Sequence, residues 1–405
     1  MVFIILPNAF GAIVTITQAV CNSGDANVTW TSGNTYFINA DSNVDVENCQ
    51  LTINPGTVVK FKATPAGNTD LNITNKGVLI AKGTAASKIV FTSENDCSVG
   101  DTITGTSNDA NCGTAKGRDY SNAINLSTSA GLVPDSNDFA HLVVGYAKTG
   151  ILISFAKFFN SIHDSNIHDN NSATTSGAGI NIGSNAKVFD VNSNLFKNNT
   201  ATSGGGFAFL ASGTVVNFGN NTIINNTSQS SSGGAVAFSS PVTTIHDNNF
   251  SDNTAPSGSG VAISITGTTV AGIYNNVFSN NRSINGSGGV ISVSGNSSTI
   301  TNFYNNLFKS NSAKFGGAIS LFGTADGEGG SCIITMTITN FYNNTFFDNN
   351  SNATNGGAII LNTGQVAGEK CSVITNFKNN IFAYSNGTAV QSTKGTITTP
   401  NNNAY

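Results

Sequence analysis

Between residues 159 and 382 the apolar positions fall into three columns that recur together. With Phe308 as a marker, its equivalents are Ile167, Phe196, Ile223, Phe250, Phe278, Phe346 and Phe382, and successive markers lie 27 to 38 residues apart. Five residues before each marker stands a second apolar column, Ile162, Val191, Phe218, Ile245, Ile273, Phe303, Phe341 and Phe377. Eight before stands a third, running from Phe159 and Val188 to Ile338 and Ile374. The runs are short, β-branched or aromatic, and bounded by Asn and Gly, so they read as strands; helical repeats would show a 3.6-residue period and few glycines. A repeat of this length signals a stacked architecture. The pattern predicts an all-β, single-stranded right-handed parallel β-helix, a solenoid with coils of about 27–30 residues.

The polar positions repeat as faithfully. Two residues before the marker stand Ser165, Asn194, Asn221, Asn248, Asn276, Asn306, Asn344 and Asn380. Three after it stand Asn170, Asn199, Asn226, Asn253, Asn281, Asn311 and Asn349, with Ser385 last. In a solenoid identical positions lie above one another at about 4.8 Å. Asparagine over asparagine can then pass an amide hydrogen to the carbonyl oxygen of the next coil, a structural ladder. The glycine pairs Gly233–Gly234, Gly288–Gly289, Gly316–Gly317 and Gly356–Gly357 are expected to give the chain positive φ before the next strand.

Residues 21–400 read as one continuous β-helix. Within it, 21–94 form an N-terminal cap and first coils (LTINPGTVVKF, LNITNKGVLIAKGT, KIVFTS), 95–120 a polar loop, and 141–400 the regular coils. Residues 1–20 read either as the tail of a secretory signal or as an N-terminal strand, and 401–405 as a coil begun and not finished. Six cysteines fall into local pairs, Cys21/Cys49, Cys97/Cys112 and Cys332/Cys371, each expected as a disulfide. They form no C-x-x-C and no His-interleaved zinc pattern.

Composition narrows the classes of function. Only 9% of residues are charged, net charge is −4, and the two arginines are Arg118 and Arg282. No basic patch exists, which argues against nucleic acid as a partner. No segment approaches the roughly 20 apolar residues of a membrane-spanning helix. An even cysteine count beside so few charges fits an extracellular or cell-surface setting. Abundant Phe (26) with 39% hydrophobic residues excludes a disordered chain.

Catalytic chemistry is hard to find. Glycoside hydrolysis needs two carboxylates about 5–10 Å apart. Asp164 and Asp247 share a register three coils apart, and Asp164/Asp169 and Asp247/Asp252 straddle turns, where solvated turn carboxylates are the expected role. His163 and His246 occur as Ile-His-Asp and read as surface histidines. No catalytic residue is assigned, and no cofactor is expected. The one metal candidate is Ca²⁺ near Asp96, Asp101 and Asp109, weighed against a plain polar loop.

One column, four residues before the marker, should point outward because its neighbour points in. It carries His246, Tyr274, Tyr304 and Tyr342 on consecutive coils. Stacked tyrosines would make an aromatic strip suited to lying under sugar rings, a candidate glycan site; the alternative is aromatic pairing that simply stabilises the sheet.

The tetrapeptides FKNN (196–199), FSDN (250–253), FSNN (278–281), FKSN (308–311) and FFDN (346–349), with GGAV (233–236) and GGAI (316–319, 356–359), resemble the FxxN and GGA[ILV] repeats of chlamydial-type polymorphic membrane proteins. PGTVVKF, GVLIAKGT and IVFTS are similar to the first coils of secreted bacterial right-handed β-helix repeat proteins. The resemblance covers roughly residues 50–400. It implies an autotransporter-passenger-like adhesin, non-catalytic, meeting surface glycans or proteins. Two other classes stay open: a polysaccharide lyase or glycoside hydrolase, whose polygalacturonase-type Asn-Thr-Asp, Asp-Asp, Gly-His-Gly and Arg-x-Lys motifs are absent here, and an extracellular structural protein that self-associates end to end through open strand edges.

Overall fold

The structure is a computed structural model. It describes residues 11–405 except 22–26, 65–68, 105–110, 128–129, 132–136, 155–157, 173–176, 202–207, 229–233, 257–259, 284, 286–288, 296, 315, 326–331, 352–356, 364–370, 385–387 and 393–394. Short strands repeat along the chain and pair, coil on coil, into long parallel sheets, and the molecule is a parallel β-helix. The first sheet runs from Ile13–Ile16 to Ile381–Ala383 and holds the marker residues at its centre. The second runs from Val44–Glu47 to Val390–Ser392. The third runs from Asp138–Ala140 to Gly395–Asn401. Before it, Val28–Trp30, Gln50–Ile53 and Val78–Ala81 form a short sheet, linked to the third by the parallel bridge Lys82–Ala140. A fifth sheet goes beyond the sequence pattern. It is built from two-residue strands, Asn171–Ser172 to Asn350–Ser351, at the corner that follows each marker strand.

The three apolar columns all face inward and are buried. Register is kept without slip: Phe250 lies on Phe278, Phe278 on Phe308 and Phe308 on Phe346. Their rings stack nearly parallel with centroids 5.0, 4.6 and 4.8 Å apart, matching the spacing of the coils themselves. Phe303, Phe341 and Phe377 stack likewise in the neighbouring column. Each buried ring contributes roughly 1.5–3 kcal/mol. A one-residue slip would turn every column outward, so the core itself enforces the register.

Both asparagine ladders form. Asn248 donates from its amide to Asn276 Oδ1 (3.0 Å) and to the Phe218 carbonyl (2.9 Å), while its backbone N–H also donates to Asn276 Oδ1 (3.0 Å). The same triple bond set recurs at Asn194, Asn221, Asn276, Asn306, Asn344 and Asn380. Ser165 begins this ladder, accepting from Leu142 N and donating its N–H to Asn194 Oδ1. At the other end Asn403 receives both donors of Asn380, and Tyr405 stacks on Phe382. Residues 401–405 therefore keep the repeat's register to the last residue. The second ladder, from Asn170 onward, is bonded the same way.

The turns correct one expectation. The residue just before each ladder asparagine takes the left-handed conformation, and it is Asp, Asn or Ser rather than Gly: Asp247 (φ 54°), Asn275 (57°), Asn305 (54°) and Asn343 (55°). Short polar side chains tolerate this region where β-branched ones do not. Gly316 does have positive φ (56°), but Gly234, Gly289 and Gly317 do not. Those glycines are needed for close approach. A Cβ on Gly289 would lie 2.2 Å from the Gly316 carbonyl oxygen of the next coil. Gly233, Gly288 and Gly356 lie outside the described residues.

Cys21–Cys49 and Cys97–Cys112 are disulfides, as expected. Cys371 is disulfide-bonded as well. The expected pairing of Cys332 with it lies outside the described side chains.

Candidate functional site

Tyr274, Tyr304 and Tyr342 end the third-sheet strands Thr269–Tyr274, Thr299–Tyr304 and Met336–Tyr342, and pair with one another in register. His246 precedes them in the same column. All four side chains are half-buried, at the outer surface. Their rings form one continuous stack: His246 to Tyr274 at 5.1 Å, Tyr274 to Tyr304 at 4.9 Å, Tyr304 to Tyr342 at 5.1 Å, with planes 4–7° apart. The column begins where Gly219 lies on His246; a Cβ there would sit 2.7 Å from the imidazole Cε1. Lys378 follows Tyr342 in register.

This geometry changes what the strip can offer. The flat faces that would lie under a sugar are occupied by neighbouring rings, so the strip presents edges and hydroxyls. Burial within the stack, with Tyr274, Tyr342 and Asp247 nearby, raises the Tyr304 phenol above its usual range. His246 is fixed by Asp247 Oδ2 at Nδ1 and by Asn217 Oδ1 at Nε2, both at 2.7 Å.

The histidine–aspartate pairs hold turns. His163 contacts Asp164 (2.7 Å) and Asp138 (3.2 Å), and Lys82 reaches the other Asp138 oxygen (3.2 Å). His168 contacts Asp169 at 2.8 Å. Burial alone would raise Asp169, but hydrogen bonds from His168 and Asn198 outweigh it and hold the carboxyl low. Asp164, Asp169, Asp247 and Asp252 all occupy left-handed turn positions, which gives each a conformational role.

The acidic loop residues are also engaged. Asp96 accepts from Thr92 and Ser98, Asp101 accepts from Thr35, and the buried Lys60 donates its ammonium to the Asp96 carbonyl oxygen at 2.8 Å. Burial lowers the Lys60 pKa against the pull of Asp96, Asp101 and Glu94. A Ca²⁺ ion at Asp96 and Asp101 would have to displace those donors. Asp109 lies outside the described residues, and no group of three metal-ligating side chains occurs among the described ones.

Sequence reasoning missed a further set of outward residues beside the tyrosines. Asn302, Asn340 and Asn376 form a third amide ladder, with Asn340 donating to Asn302 (2.9 Å) and Asn376 to Asn340 (2.8 Å). The signal was present in the repeated hexapeptide TITNFY at 299–304 and 337–342.

No family model, no curated protein and no solved structure matches this chain. Among the described residues no helix is long and apolar enough to cross a membrane.

Proposed function

We propose that this chain is a non-catalytic β-helix of the extracellular space or cell surface, adhesin- or passenger-like, that binds glycans along the aromatic strip. The observation that carries the reading is the unbroken stack from His246 to Tyr342, whose outer edges line up along one face. Stacking and amide ladders stiffen that face, so little conformational entropy is lost when a ligand binds. The disulfides suit an oxidising compartment. The FxxN and GGA[ILV] repeats support a passenger-like role. Against an enzyme stands the engagement of the candidate aspartates in turns and of the histidines with them.

The test is a glycan array probed with the native chain and with Tyr304→Ala. The variant removes the centre of the stack at roughly 1 kcal/mol of sheet stability, too little to unfold it. Binding should fall at least about tenfold, equivalent to roughly 1.4 kcal/mol. Equal binding by both proteins, or no bound glycan at all, would sink the reading.

A further inference from the structure

The strip has a floor beside it. On the strands Thr299–Tyr304, Met336–Tyr342, Ser372–Lys378 and Gly395–Asn401, the outward positions next to the tyrosine column carry threonine and asparagine in register, except for Val373 between Thr337 and Thr396. Thr299 lies on Thr337, Asn302 on Asn340 and Asn340 on Asn376. Thr396 and Thr399 continue on the last strand, the latter on Asn376. Thr299, Thr301, Thr337, Thr339 and Thr375 are partly exposed, and their hydroxyls make no hydrogen bond to the rest of the protein among the described residues. The Tyr274, Tyr304 and Tyr342 hydroxyls are equally unengaged. Asn340 and Asn376 each give one amide hydrogen to the neighbouring coil and keep the second free. Lys378 is the one charged residue on these four strands.

On the first three strands the surface is therefore an uncharged grid rich in unused hydroxyl and amide groups, while on the last strand the Thr398 and Thr399 hydroxyls are turned back onto the Thr375 carbonyl. The grid repeats at about 4.8 Å along the helix axis and at roughly 6.6 Å between alternate residues across it. A ligand that uses such a grid must itself be uncharged, rich in hydroxyls, and periodic. An extended β-linked pyranose chain meets all three conditions, since each sugar advances it by a distance similar to one coil. Polyanionic polymers do not, because the grid offers one cation in four strands and leaves their charge unpaired.

We infer that these four strands bind an extended, uncharged β-linked polysaccharide running along the helix axis, about one sugar per coil. The threonine hydroxyls and asparagine amides hold the sugar hydroxyls, and the tyrosine edges form one bank. This rests on the glycan-binding reading and deepens it: hydrogen bonding by the grid, rather than stacking on ring faces, does the holding.

The experiment titrates the native chain with neutral cello-, manno- and chito-oligosaccharides from disaccharide to hexasaccharide, in low and high salt. In at least one series, affinity should rise roughly two- to tenfold per added sugar, the worth of one net hydrogen bond, and level off near the tetrasaccharide. Salt should change it little. Thr301→Val with Thr339→Val keeps side-chain shape, removes two hydroxyls, and should weaken the tetrasaccharide about tenfold, while Thr214→Val, on the same sheet outside the grid, should not. Glycan binding that ignores chain length or survives the double valine variant, while still lost in Tyr304→Ala, overturns this inference and leaves the broader reading standing. Salt-sensitive preference for an anionic polymer also overturns it. Failure to bind any glycan overturns both.

Discussion

In the coils from residue 158 to residue 384 a buried amide meets a copy of itself on the next coil; in the coils from 28 to 126 the buried polar groups meet unlike partners. The later coils bury asparagine after asparagine, each bonded up and down the stack. The earlier coils bury Lys60, Glu94, Asp96 and Asp119, with Asp119 taking a hydroxyl from Ser93 (2.7 Å) and Asp70 holding Asn122 by two bonds. They add two disulfides and pair unlike rings, Trp30 with Tyr36 and Phe61 with Tyr120. A repeating interior makes every coil a good neighbour for every other. A non-repeating one ties particular coils to particular partners, each buried polar group held by a donor or acceptor unlike itself.

The largest effect should come from breaking the repeat in its middle. Asn276→Leu leaves the Asn248 N–H, one Asn248 amide hydrogen and the Ile245 carbonyl without the bond that Asn276 made to each. Three such broken buried bonds imply a loss of about 5 kcal/mol. Asn302→Leu, in the outward ladder, should lose under about 1 kcal/mol because water replaces the bonds. Urea unfolding of the two variants measures the contrast; equal losses would mean that burial is not what makes the inner ladder matter.

A smaller effect should stay local. Replacing Cys97 and Cys112 together by Ala frees a link of sequence separation 15 and should cost about 3 kcal/mol. Solenoid contacts are between neighbours, so faster hydrogen exchange is expected in Val58–Phe61 and Ile89–Ser93 and not in Asn249–Ser251 or Val277–Ser279. Uniform acceleration along the chain would show that the two regions unfold as one.

The smallest effect at neutral pH concerns Tyr120, buried with its hydroxyl on the Gly145 carbonyl at 2.7 Å. Tyr120→Phe should cost about 1 kcal/mol at pH 7. Burial first, then Asp119 and Asp96, push its phenol well above the usual tyrosine range. The folded state thus keeps a proton that the unfolded chain releases. Stability from this group is complete below about pH 10 and is lost as pH rises beyond it. A stability–pH curve should bend downward there in the native chain and less in Tyr120→Phe; identical curves would remove Tyr120 from the account.

What the sequence disclosed follows the same division. The three apolar columns and both inner ladders were legible because each position repeats the same chemistry in almost every coil, and burial demands that it do so. The outward direction of Tyr274, Tyr304 and Tyr342 was legible from their apolar neighbours. That their rings face one another was not, because strand alternation sets direction and leaves the ring's rotation to packing. The Asn302–Asn340–Asn376 ladder escaped notice because in earlier coils the same column varies, holding Ser161, Asp190, Asn217, Thr244 and Gly272. Lys60 sits in an apolar run, yet its burial depends on a carbonyl 36 residues away, which no local pattern announces.

The uniform inner ladders bear on how such a gene can change length. Asn221, Asn248 and Asn276 present interchangeable hooks above and below, so removing the 27 or 28 residues from one rung to the next returns the chain to register. Unequal recombination between repeats would then shorten or extend the rod in steps of about 4.8 Å without exposing a single apolar column. Losing or doubling one later coil keeps every neighbour's bonds intact, while losing one earlier coil would strip its neighbours of one-off partners.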